Sequence, residues 1–212
     1  MSQDIIINQF ANDVEGLLKE LYQLNSFYLL NKHLKQKSNH QEFLNAMNKA
    51  PAFFSLAINS FHYSAIMGLA RIFEPASRDS KSIYKFLNFI EGNHKKIFKN
   101  DLITKKKLGR DSDIDESTVR KHREILTGVE PIISNLITWR DKAFAHNDKK
   151  YFKDRDALGK DFPITYEEIQ KLIELAGEIL NTYQVGYNGS YTQIIPSNTF
   201  DVDTVLKALK VL

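Results

Sequence analysis

The apolar positions of this chain recur at steps of three and four almost from end to end, which is the signature of amphipathic helices. Phe10, Val14, Leu17, Leu18, Leu21, Leu24 and Phe27/Tyr28 form one stripe, predicting a first helix over residues 5–34. A shorter helix is expected over residues 38–47. Pro51 suits the first turn of a third helix over residues 52–73, which is apolar almost all round and reads as the central helix of a bundle. Pro75 ends it, and Ser80 can cap a fourth helix carrying Ile83, Phe86, Leu87 and Ile90 and ending near Gly92.

Residues 94–115 show little apolar period and predict a long exposed loop. A helix over residues 116–144 follows, with Ile125, Val129, Ile132/Ile133, Leu136 and Trp139 on one side and an expected kink at Pro131. Thr165 and Glu168 have the spacing of a capping box, ahead of a face made by Ile169, Leu172, Ile173, Ala176, Ile179 and Leu180. Residues 187–195 suggest a small hairpin, and residues 202–209 a last helix behind Asp201. No internal repeat is visible. The expectation is an all-α helical bundle over residues 1–185 with a short C-terminal appendage over residues 186–212.

Length and composition narrow the class of chemistry. A chain of 212 residues, 42% hydrophobic and 26% charged, can bury one genuine core. It contains no cysteine, which excludes disulfides, thiolate metal sites and a cysteine nucleophile. No signal peptide is apparent at the N-terminus, and the most apolar window, residues 52–73, contains Asn59, His62 and Arg71. A membrane span would carry that arginine at a cost of roughly 2.5–3.5 kcal/mol. A cytoplasmic location without a membrane partner is the expectation. Asn188-Gly-Ser190 reads as a chance sequon.

The net charge of +3 is modest, but it is unevenly placed. Residues 94–110 hold seven basic residues, Lys105, Lys106 and Lys107 among them, against Asp101 alone. Residues 139–155 hold six, including Arg140 and Lys149, against Asp141, Asp148 and Asp154. Two such stretches can track phosphates, although Lys-rich loops are commonly just solvated faces.

Most chemical motifs fail. There is no Gly-rich phosphate loop and no His-Glu-x-x-His. Asp111-Ser-Asp113-Ile-Asp115 starts like a calcium loop, but Glu116 and His122 occupy its Gly and Glu positions. The scattered histidines lack paired ligand spacing, so no metal site and no cofactor are expected, and His62 reads as a core histidine.

One segment remains, Trp139-Arg-Asp-Lys-Ala-Phe-Ala-His146-Asn-Asp148. An imidazole and a guanidinium can together cleave RNA without a metal. His146 can serve as general base on a 2′-OH or as general acid on the leaving oxygen, and Arg140 can hold the scissile phosphate. Six helical steps rotate by about 600°, so the two do not share a face of a straight helix. They converge if the helix ends or kinks between them, or if a second subunit completes the site. The bare spacing recurs by chance in a chain with this many Arg and His. The alternative for the pair is an Arg140–carboxylate bridge at a helix end with His146 near its C-terminal dipole.

Arg140-Asp-Lys-Ala-Phe-Ala-His146 nevertheless resembles the Arg-polar-(x)-His signature of the HEPN superfamily of all-α domains. Ala145-His-Asn-Asp148, Gly68-Leu-Ala-Arg71-Ile-Phe-Glu74 and the stretch from Ser80 to Leu87 resemble its AbiU-type abortive-infection branch. That resemblance implies a homodimer whose two Arg/His pairs face one another across a cleft, often as a metal-independent endoribonuclease in phage defence or as a toxin. It places Arg140 and His146 in catalytic roles and Asp141 beside Arg140 as an orienting group. The toxin subgroup with Tyr two residues after the His is not matched, since Asp148 stands there.

Arg71 and Glu74, a turn apart on an apolar helix, either line the same cleft and position Arg140 or RNA, or form an internal salt bridge. Asp148, Lys149, Lys105, Lys106 and Lys107 are the further RNA-binding candidates. RNA and an antitoxin or defence protein are the expected partners. Two other readings stay open: a catalytically silent HEPN-type module binding RNA, nucleotide or protein, and a plain helical scaffold.

Overall fold

The computed structural model describes residues 2–77, 81–98, 114–145, 149–196 and 201–211, and all the elements found there are helical. The expected all-α architecture is the observed one. Helix α1 (Gln3–Ser38) is the spine, and its apolar stripe from Phe10 to Tyr28 is buried. At 1.5 Å per residue it spans about 54 Å, long enough to support every other layer. A short α2 (Gln41–Met47) turns back, and α3 (Pro51–Ile72) then lies along α1. Close approach is possible because residue 68 is glycine: a Cβ there would lie 2.9 Å from the Leu24 Cβ.

Helix α3 is less central than its composition suggests. Its C-terminal half is buried at Ala65, Ile66, Leu69, Ala70 and Ile72. Nearer its N-terminus, Phe53, Leu56 and Tyr63 stand exposed. Composition shows only that a helix is apolar, whereas neighbours decide which sides are covered.

Helix α4 (Ile83–Ile97) is capped by Ser82, whose Oγ accepts from the Lys85 amide at 3.4 Å. The expected cap, Ser80, lies outside the described residues. Nor does α4 stop near Gly92, because the apolar face continues to the buried Ile97 and Phe98. A mid-helix glycine costs only about 1 kcal/mol, which such burial offsets. Residues 94–97 are therefore helical, and most of the rest of the expected loop lies outside the described residues.

The helix expected over residues 116–144 is two helices and a wider turn. Asp115 caps α5 (Glu116–Gly128), accepting from the Thr118 amide at 3.1 Å. At Val129 the backbone leaves the helical region, with φ −114° and ψ 8°, and α6 (Glu130–Trp139) restarts. Pro131 sits in the first turn of α6, where its missing N–H costs nothing, so it starts a helix instead of kinking one. From Arg140 to Ala145 the chain winds as a π-helix.

Short helices α7 (Lys149–Lys153) and α8 (Arg155–Asp161) lead to α9 (Tyr166–Asn188), which opens with the expected Thr165/Glu168 capping box. Gly189 closes α9 at φ 76°, a conformation natural to glycine. The main core gathers α1, α3, α4, α5, α6 and α9. At one end of it Phe10 meets Phe86, Phe98 and Tyr187, with ring centroids 5.1–5.9 Å apart.

The expected hairpin does not form, since residues 190–196 run as an irregular strap with no strand. Helix side chains take the place of a partner strand. Asn181 holds the Thr192 backbone at both its N–H and its C=O, at 2.8 and 3.0 Å. Asn25 donates to the Ile194 carbonyl at 2.9 Å, so these backbone groups find partners without a strand. The Ile194 side chain settles over Gly177.

Helix α10 (Asp201–Val211) then buries Leu206 against Leu34, Met47 and Phe54 in a second, smaller core. Asp203 bridges to His33 at 2.7 Å and Lys37 at 3.2 Å, and Lys210 to Glu42 at 2.7 Å. Among the described residues no helix is long and apolar enough to cross a membrane.

Candidate functional site

Arg140 occupies the junction where α6 gives way to the wider turn, and its side chain is only 17% exposed. Its Nε donates to Asp141 Oδ1 at 2.7 Å and its Nη1 to Glu74 Oε1 at 3.0 Å. The hydrogen bond to Asp141 holds the guanidinium pKa above its ordinary value, with desolvation opposing and Glu74 adding support. Arg140 is thus a fixed cation whose Nη2 has no partner among the described residues. An Arg fork with two edges tied and one open is suited to receiving a phosphate oxygen.

Glu74 reaches Arg140 because α3 ends at Ile72, leaving residue 74 just past the helix. Phe73 beside it is fully buried, which anchors that short excursion against the core. Trp139 fixes the other side: its indole donates to the Phe162 carbonyl at 2.7 Å and its ring meets His62 edge-on at 6.1 Å. His62 is half-buried, and desolvation lowers its pKa, with Lys35 contributing. It packs as an aromatic wall beside Trp139.

The structure separates Arg71 from Glu74. Arg71 is mostly exposed and bonds Glu20 of α1 through Nε at 2.7 Å, while Glu74 turns to Arg140. The internal Arg71–Glu74 salt bridge is therefore not the arrangement found, and of the two only Glu74 joins the Arg140 cluster. No sequence signal could have named Glu20, which lies 51 positions away on another helix.

The second basic stretch is partly neutralised. Lys150 pairs with Asp161, whose Oδ2 also accepts from the Tyr151 hydroxyl at 2.9 Å. Lys142 lies over the Tyr151 ring at 5.5 Å. Lys149 and Lys153 remain exposed. His146, Asp148, Lys105, Lys106 and Lys107 lie outside the described residues. The described chain does change helical type at Arg140, inside the segment where a straight helix would keep Arg and His on different faces. Single π-type turns within helices are frequent at functional sites. Among the described residues no group of three or more His, Asp or Glu side chains is placed to hold a metal.

A family model described as AbiU2, of the HEPN type, matches residues 7–208. The chain belongs to the AbiU2 family of HEPN domains. The match reaches every described helix, and the Arg140 junction falls within it. No curated protein and no solved structure matches the chain.

Proposed function

We propose that this AbiU2-family chain is a metal-independent endoribonuclease that acts as a homodimer in phage defence or as a toxin. The observation that carries the reading is Arg140: a half-buried guanidinium at a π-type turn, braced by Glu74 and Asp141, with Nη2 unpaired among the described residues. In the proposed reaction Arg140 grips the scissile phosphate and offsets its growing negative charge. One His146 removes the proton from the 2′-OH, whose oxygen bonds to phosphorus as the P–O5′ bond breaks. A second imidazole, His146 of the twin subunit, protonates the departing 5′-oxygen. The products are a 2′,3′-cyclic phosphate and a 5′-hydroxyl. Exposed Lys149 and the basic stretch with Lys105, Lys106 and Lys107 would lead the RNA backbone to this point.

Purified protein incubated with RNA in EDTA tests the reading. Wild type should release fragments ending in cyclic phosphate, and Arg140→Ala and His146→Ala should each lose about 100-fold or more. Equal cleavage by all three proteins would overturn it.

One observation favours a second reading, a silent RNA-, nucleotide- or protein-binding module. Arg140 is already engaged by two carboxylates, which an incoming phosphate must outcompete. That version predicts salt-sensitive RNA binding with no product at any enzyme concentration. An antitoxin or other defence protein covering the same cleft would give inhibition in trans.

A further inference from the structure

A cavity of about 490 Å³ opens between α4, α5 and α6, and its lining includes chain neighbours of both Glu74 and Arg140. Phe73 and Pro75, which flank Glu74, form one wall, and Ile137 and Thr138, just before Arg140, form another. Its size is within the range of pockets that hold small organic groups. Tyr84, Ile133 and Ile137 give it apolar surface, and Asn88, Glu130 and Ser134 bring polar atoms to it.

Those polar atoms have defined directions. The Tyr84 hydroxyl donates to Glu130 Oε2 at 3.2 Å, and burial together with Glu130 raises its pKa, so it stays a donor. Glu130 Oε1 has no donor among the described residues, although the carboxylate is exposed to the cavity. Arg123 donates to Asn88 Oδ1 at 2.7 Å and to Glu91 at 2.8 Å. That contact orients the Asn88 amide with its oxygen toward Arg123, leaving its NH₂ as a donor. The Ser134 hydroxyl is likewise uncommitted among the described residues, since Thr138 bonds the Ser134 carbonyl instead.

An aromatic ring, a carboxylate and an amide donor around one slot match the needs of an unstacked base. The carboxylate selects among bases. Guanine presents N1–H and the 2-amino group side by side, two donors for one acceptor group, and its O6 can accept from an amide or hydroxyl. Adenine and cytosine place an acceptor next to their amino group, and uracil flanks its single N–H with two carbonyls.

We propose that this cavity is a base subsite for a guanine next to the scissile phosphate, with Glu130 as the residue that reads it. The proposal rests on the ribonuclease reading for its role in cleavage, but base binding can be measured without cleavage. Titrating the full-length protein with 5′-GMP and with 5′-AMP into the millimolar range, by NMR or calorimetry, separates the two ideas. Both probes carry the same phosphate, so a difference reports the base. Wild type should prefer 5′-GMP by about tenfold or more, because a site built to bond a donor pair rejects the base that lacks it. Glu130→Gln should bring the two affinities within about twofold with an unchanged thermal midpoint, and Ser134→Ala should narrow the gap less. Arg140→Ala should weaken both probes alike and keep the preference.

Equal affinities in wild type, no binding of either nucleotide, or an undiminished preference in Glu130→Gln would overturn the subsite. Arg140-dependent cleavage with no guanine preference would sink the subsite and leave the nuclease standing. A guanine preference in a protein that cleaves nothing would do the reverse.

Discussion

Arg140 shows how much of a site can depend on one neighbour that the local sequence does not reveal. Asp141 is adjacent in the chain and was expected as an orienting group; Glu74, expected with Arg71 either to position Arg140 or RNA or to form an internal salt bridge, comes from 66 positions away and shares the guanidinium. If Glu74 positions Arg140, Glu74→Ala should lower kcat for RNA cleavage by about tenfold with little change in KM. Glu74→Gln, which keeps an acceptor at the same place, should recover most of that loss. The pair itself contributes little to stability, on the order of 1 kcal/mol, because Glu74 is still 36% exposed. A different residue carries the packing load nearby. Gly68→Ala would push a Cβ against Leu24 where α1 and α3 touch, and should destabilise the fold by about 1–3 kcal/mol in urea denaturation. Gly177→Ala should cost less, since the tip of Ile194 is free to swing away.

The signals that worked for elements were local. The Thr165/Glu168 capping box marked the start of α9 because a cap involves residues three apart. The stripe along α1 was legible because its period is intrinsic to a helix. A boundary set by distant contacts was not legible: α4 continues past Gly92 because Ile97 and Phe98 find the core. Nor was the break at Val129, after which Pro131 sits in the first turn of a new helix.

The link between α5 and α9 provides a test at this scale. Buried His122 lies with Nδ1 3.0 Å from the Tyr183 hydroxyl, and desolvation, with Lys121 adding, pushes its pKa down to about 4. The unfolded chain binds this proton near pH 6.5 while the folded chain resists it. Stability should therefore be complete above about pH 6.5 and fall as pH drops toward 4, by up to about 3 kcal/mol. Urea midpoints of wild type and His122→Gln between pH 7 and 4 check this, with a flatter acid limb expected for the variant.

For the molecule as a whole, the C-terminal segment is fastened at two places. The strap at residues 190–196 is held by Asn25 and Asn181, and α10 rests on a small core around Leu206 with ion pairs at its rim. Leu206→Ala should remove about 2–4 kcal/mol from that corner, seen as a lower thermal midpoint or as early hydrogen exchange confined to α10 and α2. The proposed homodimer is also a question for the whole molecule. Sedimentation equilibrium should return twice the mass of 24.5 kDa, and a monomer at micromolar concentration would remove the shared cleft.

By itself the sequence determined the helical class, most helix positions, the AbiU-type kinship and Arg140 as a residue of interest. Each of these depends on short-range periodicity or on a contiguous motif, and backbone geometry imposes those without reference to the rest of the chain. Tertiary structure alone decided that Glu74 braces Arg140, that Arg71 turns to Glu20, and that Asn25 and Asn181 replace a partner strand. It also decided that Tyr84, Asn88 and Glu130 meet around one cavity. These partners come from separate segments of the chain, and only the way the segments pack brings them together.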